Sequence, residues 1–216
     1  MNDTVPPSRA AILLVQLGTP DRPEVPEVRR YLREFLTDRR VVEQSPLIWW
    51  PILHTLVLTR RPKESAEKYR SIWTKAGSPL LVNTKLVAEA LQDELNKRGR
   101  QVEVVWAMRY GNPSMVDALR DLRDRGFSRI VVLPMYPQYS AATSGTVFDV
   151  IAREFLQWRS IPALRFLQSF HDDPGYIAAV AESIRHSWRQ SEAGKPEKLI
   201  FSFHGLPQSC VDQGDP

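Results

Sequence analysis

Apolar runs alternate with amphipathic stretches along the whole chain. Ala10 to Leu17 is mostly apolar, as are Val102 to Met108, Arg129 to Leu133, Ala163 to Leu167 and Lys198 to Phe203. These runs are short, rich in β-branched or aromatic residues, and bounded by Gly, Pro or Ser. That is the pattern of buried strands. Between them the apolar positions recur at helical spacing. Pro26 to Leu36 places them at 28, 32, 35 and 36. Lys63 to Trp73, Leu81 to Lys97, 115–125, Thr143 to Trp158 and Pro174 to Trp188 repeat the theme. Ser114 is a good N-cap for the stretch 115–125, and Gly126 a good stop. Strands alternating with helices predict an α/β fold, with a mostly parallel sheet covered on both faces.

Length divides this pattern. The chain has 216 residues, enough for one large domain. Ser191 to Pro196 is polar and reads as a linker. The expected division is a first α/β domain over 1–190, then 191–216 as linker plus the first strand of a truncated second domain. The run at 198–203 is that strand, and no helix pattern follows it.

Composition excludes several classes. One cysteine, Cys210, rules out a disulfide or a four-cysteine metal site within the chain. Lys and Arg number 29 against 25 Asp and Glu, for a net charge of +4. The charges are mixed and form no like-charge block, so a nucleic-acid partner is not expected. Met1 to Arg9 lacks a signal-peptide layout, and no run is long enough to span a bilayer. A cytoplasmic location is expected.

Chemistry concentrates where the strands end. Open α/β sheets bind ligands beyond the carboxyl ends of their strands. There the chain reads Gln16 to Pro20, Met108 to Pro113, Pro134 to Ser140 and His204 to Pro207. The opposite turns, such as Lys97 to Gly99, are plain. No glycine-rich phosphate motif follows the first strand, and Pro20 occupies a place where a phosphate loop wants a free N–H. Tyr110, Tyr136 and Tyr139 instead suit a flat, apolar ligand with a few polar anchors.

Taken together, Val15 to Pro20, Val28 to Leu36, Ala76 to Pro79, Met108 to Ser114, Leu133 to Ser140, and Phe201 to Pro207 with Gly214 to Pro216 resemble the ferrochelatases. The motifs occur in order across some 200 residues. The resemblance implies a chelatase-like (Rossmann-like) first domain and the opening of a second, with a porphyrin held between the two. It implies insertion of Fe²⁺ into that porphyrin, with no organic cofactor and iron as substrate. His204 is implied as the catalytic and metal-binding residue. Imidazole titrates near neutral pH, accepts protons and ligates Fe²⁺. The porphyrin contacts implied are Gln16, Leu17, Arg109, Tyr110, Tyr136, Tyr139, Ser140 and Thr143, with Ser78, Arg60 and Arg61 holding propionates. Arg60 and Arg61 read equally as a solvated pair, and Arg109 and Tyr110 read also as a surface arginine with a packing tyrosine. Tyr136, Tyr139, Ser140 and Thr143 read also as packing and an N-cap. No [2Fe–2S] cluster is expected, because Ser140 to Thr143 lacks the cysteine that some relatives carry there.

Pro46 to Leu58 is unusually apolar, with Trp49 and Trp50. It reads either as a buried helix or as an apolar lip touching a membrane. Two rivals remain: a chelatase for another metal and tetrapyrrole, and a non-catalytic porphyrin- or heme-binding fragment.

Overall fold

A computed structural model describes residues 9–191 and 196–216. Four strands form one parallel sheet: β1 (Arg9–Thr19), β2 (Val102–Gly111), β3 (Phe127–Pro134) and β4 (Ala163–Phe166), in the spatial order β2-β1-β3-β4. The helices are α1 (Val25–Leu36), α2 (Pro46–Ile52), α3 (Leu58–Ile72), α4 (Pro79–Lys97), α5 (Met115–Asp124), α6 (Thr146–Phe155), α7 (Pro174–Gln190) and the short α8 (Gln208–Asp212).

The central strand β1 is buried on both faces, as a parallel strand must be. Leu13 and Val15 pack with Met115, Leu119 and Leu122 of α5 and with Val147, Val150 and Ile151 of α6. The alternation of side chains sends Leu14 to the other face, where α1 and α4 lie against the sheet. The local signals act as expected at several ends. Ser114 Oγ accepts from Asp117 N–H at 3.1 Å and starts α5. Asp173 Oδ1 accepts from Gly175 and Tyr176 N–H and starts α7.

Two glycines let β1 and β2 meet closely at their carboxyl ends. Gly18 has φ of 118°, and a Cβ there would sit 1.8 Å from the Tyr110 carbonyl oxygen. Gly111 has φ of 84°, and its Cβ would sit 2.7 Å from the Thr19 carbonyl oxygen. Only glycine fits either place.

Three expectations need correction. Lys198 to Phe203 is not a strand; it has no regular structure, and Ile200, Phe201 and Phe203 are exposed. A parallel strand exists only when a neighbour supplies its ladder, and none lies beside this run among the described residues. The helix expected from Thr143 starts at Thr146, because Ala141–Gly145 first makes one wide π turn. The run 46–58 is helical, continuing through a π turn at Leu53–Val57, but it is not a buried helix. Only Leu53 and Leu58 are buried, while Leu47, Ile48, Trp50 and Leu56 are exposed. Trp49 donates to the Leu36 carbonyl at 2.7 Å, and Arg29 to the Leu58 carbonyl at 3.0 Å, so the exposed ridge is fastened to α1. Most of the linker expected at 191–196 lies outside the described residues.

Candidate functional site

The carboxyl ends of β1, β2 and β3 bring most of the candidates to one edge. Gln16 and Leu17 end β1, both half-buried, and Gln16 Oε1 accepts from the Leu17 N–H at 2.9 Å. Arg109 and Tyr110 end β2, and Tyr136 to Thr143 follow β3.

Arg109 and Tyr110 leave β2 on opposite faces, since neighbouring strand residues alternate. One carboxylate nevertheless receives both. The guanidinium of Arg109 pairs with Asp38 Oδ2, and the Tyr110 hydroxyl donates to the same oxygen at 3.0 Å. Asp38 Oδ1 accepts from the Arg40 N–H at 2.9 Å. Arg109 Nε also donates to the Thr146 carbonyl at 3.1 Å. The side chains of Arg109 and Asp38 are 9% and 8% exposed, so the ion pair is closed from water. Tyr110 is 1% exposed, edge-on to Phe35 of α1 at 5.1 Å. Burial pushes its phenol well above the ordinary range, so it remains a hydrogen-bond donor at neutral pH. The sequence suggested Tyr110 as a surface for porphyrin. In this structure it is almost wholly covered and supports Arg109 and Asp38 instead.

The turn holding Asp38 has a second fastening. Arg40 makes a bidentate pair with Asp149 of α6, at 2.6 and 2.8 Å. That pair holds the Asp149 carboxyl below the usual carboxylate range. A depressed carboxylate adds stability above its unfolded pKa of about 3.9 and loses it as pH falls. Asp149→Asn should therefore lower Tm at pH 7, with a deficit that shrinks below about pH 4. Thermal melts across pH check this; a deficit constant with pH would contradict it.

The loop after β3 is tied to the chain's last residues. Asp215, 9% exposed, accepts from Ser140 Oγ at 2.8 Å and from the Ala141 N–H at 3.0 Å. Ser140 Oγ accepts in turn from the Ala142 N–H, and Thr143 Oγ1 donates to the Ser140 carbonyl. Ser140 and Thr143 thus shape the loop. Tyr136 packs against the core. Burial pushes its phenol up, and its hydroxyl has no partner among the described residues. Tyr139 lies near the π turn, its hydroxyl 3.4 Å from where a Cβ on Gly145 would be.

Other candidates stand apart. Ser78 is buried at the start of α4, and Arg60 and Arg61 are exposed on α3. His204 is exposed, and no contact joins it to Arg109 or Tyr110 among the described residues. Its Nδ1 lies 2.7 Å from the Gly205 carbonyl oxygen. Among the described residues, no three His, Cys, Asp or Glu side chains converge as a metal-binding group.

Several hollows open near this edge, among them one of about 500 Å³ by Arg39, Arg40 and Glu43. One of about 450 Å³ is lined by Glu34, Thr37, Asp38, Arg39, Arg109, Asp149 and Arg153. Another of about 200 Å³ lies beyond Thr19 and Gly111. Thr19 Oγ1 and Glu27 Oε2 beside it have no partner among the described residues. A groove of about 620 Å³ lies at the opposite edge, by Arg9 and Arg100.

Sequence reasoning missed Asp38, Arg40 and Asp215. Asp38 and Arg40 stand in Thr37 to Arg40, directly after an amphipathic helix that runs to the sheet's carboxyl edge. That placement was the available signal.

Comparison with known proteins bears on the chain as a whole. The ferrochelatase family model matches residues 9–216. A ferrochelatase from Methylococcus capsulatus is 53% identical over 209 residues, which cover 97% of this chain and 62% of that protein. One from Aromatoleum aromaticum is 50% identical, covering 97% and 57%. Ferrochelatase 2 of Shewanella oneidensis is 48% identical, covering 96% and 63%. The chain spans about three fifths of the length of these relatives.

Proposed function

Because this chain belongs to the ferrochelatase family, we propose that the full-length protein inserts Fe²⁺ into a dianionic porphyrin, protoporphyrin IX or coproporphyrin III. The pyrrole protons leave as the metal enters, as a step of heme synthesis. The observation that carries this reading is the gathering of Gln16, Leu17, Arg109, Tyr136, Tyr139 and Ser140 at one edge of the sheet, in a chain about half identical to proteins of that name. Iron is the substrate, and no organic cofactor takes part. Within these 216 residues the single Cys210 offers no ligand set for a [2Fe–2S] cluster.

The residues divide the work. Gln16, Leu17, Tyr136 and Tyr139 face the macrocycle from the β1 and β3 ends. Ser78, Arg60 and Arg61 hold the propionates; guanidinium meets carboxylate with paired, charge-assisted hydrogen bonds. His204 takes a pyrrole proton or the metal. A full-length chain should bind the porphyrin diacid at least about tenfold more tightly than its dimethyl ester, a difference of about 1.4 kcal/mol. In the Arg60→Ala, Arg61→Ala variant the two should bind alike. Fluorescence titration reads both, and equal affinities in the unaltered protein would remove the arginines from this role.

The ridge over 46–58 suits delivery of a poorly soluble substrate. No helix among the described residues is long and apolar enough to cross a membrane, yet Leu47 is 88% exposed and Trp50 62%. The proposal is peripheral contact from the cytoplasmic side, with Arg60, Arg61 and Lys63 near headgroups. Anionic vesicles should shift Trp fluorescence to the blue, and Leu47→Glu with Trp50→Glu should remove the shift. An unchanged shift would assign it elsewhere.

A further inference from the structure

We propose that Asp38 is a positioning residue for the metalation reaction, acting by fixing the Arg109 guanidinium at the carboxyl edge of the sheet. The inference rests on the porphyrin-metalation reading above.

The geometry has three parts. First, Asp38 Oδ2 receives both Arg109 and Tyr110, side chains that leave β2 on opposite faces. A single acceptor so shared fixes the guanidinium and the phenol relative to each other. The Arg109 guanidinium also lies 4.3 Å from the Tyr110 ring centre, so it stacks on the ring whose hydroxyl shares its acceptor. Second, the carboxylate is itself held. The Arg40 N–H binds Oδ1, and the Arg40 side chain ties the turn to Asp149 of α6. Asp38 therefore cannot swing away without breaking contacts to two elements. Third, Arg109 and Asp38 both line the 450 Å³ hollow while remaining nearly dry. A charge held dry beside an open cavity keeps its direction and its strength, which suits a group that must meet a reacting ligand in one pose.

Fold maintenance alone makes a different prediction. Asp38 would then act equally through its contacts to Arg40, Arg109 and Tyr110. Its loss would then lower Tm and turnover together, and a variant that kept Tm would keep turnover.

The test is a double-mutant cycle in the full-length protein, reading porphyrin metalation and Tm. Asp38→Asn keeps the shape and removes the charge. Turnover is expected to fall about a hundredfold, the scale of a misplaced reacting group, with porphyrin binding changed much less. Arg109→Leu should cost a similar factor, and adding Asp38→Asn to it should cost nothing further. In the Asp149→Asn background, which opens the other arm of the same turn, the two losses should multiply. Asp38→Glu, which retains charge but displaces it, serves if Asp38→Asn does not fold; it should lose turnover while keeping Tm. Losses that multiply with Arg109→Leu, or full turnover in Asp38→Glu, would overturn the assignment and leave the metalation reading intact. Absence of metalation by the unaltered protein would overturn that reading, and this inference with it.

Discussion

His204→Ala in the full-length protein should leave porphyrin binding measurable and lower metalation turnover by about 10²- to 10⁴-fold, the range of a lost general base. One hydrogen bond orients the imidazole. The Gly205 carbonyl oxygen can only accept, so the Nδ1 that lies 2.7 Å away carries the proton in this contact. In the neutral ring the remaining nitrogen, Nε2, then offers its lone pair. The side chain is exposed, so that lone pair is available to a pyrrole proton or a metal ion. Removing the imidazole removes the acceptor and leaves in place the aromatic and cationic groups proposed to hold the macrocycle. Stopped-flow absorbance separates binding from turnover. Near-normal turnover in His204→Ala would end the role assigned to it, and loss of both binding and turnover would show a structural one.

Gly18→Ala should be the most damaging single methyl in the fold. At φ of 118° an L side chain is strained, at about 1–2 kcal/mol. The new Cβ also falls 1.8 Å from the Tyr110 carbonyl oxygen, which is backbone and cannot rotate away. Forced overpacking adds roughly 1–3 kcal/mol. The sum, about 2–5 kcal/mol, is a large part of the 5–15 kcal/mol typical of a folded domain. It corresponds to a Tm lower by about 4–20 °C. The displaced residue is Tyr110, so Arg109 and Asp38 should shift with it, and turnover should fall further than stability. A Tm within a degree of the unaltered protein would show that the strands part more easily than the close approach implies.

Much of the fold was legible because its signals are local or periodic. β1 to β4 appear where short β-branched or aromatic runs stand between turn residues, and Ser114 marks the start of α5 by its own hydroxyl. The carboxyl-edge loops were legible because strand direction alone puts Gln16, Arg109 and Tyr136 on one side. Features that depend on distant partners were not. Asp38 meets Arg109 across 71 residues, and Arg40 meets Asp149 across 109. Asp215 and Ser140 are 75 apart. Nothing in Thr37 to Arg40 announces those partners. The same reason explains the error at Lys198 to Phe203. The run has the composition of a strand, but a strand is a pairing, and no neighbouring strand lies beside it among the described residues. For Tyr110 the strand-end position allows both a ligand surface and packing; its burial against Phe35 depends on where α1 packs.

One measurement bears on the central claim more directly than any variant. The full-length protein is loaded with porphyrin under strict anaerobiosis, Fe²⁺ is added, and the visible spectrum is followed. The account predicts that the free-base bands collapse to the simpler metalloporphyrin pattern, faster than in protein-free solution and with proton release. A porphyrin that stays bound with its free-base spectrum unchanged would contradict it, and would leave a tetrapyrrole-binding protein in place of a chelatase.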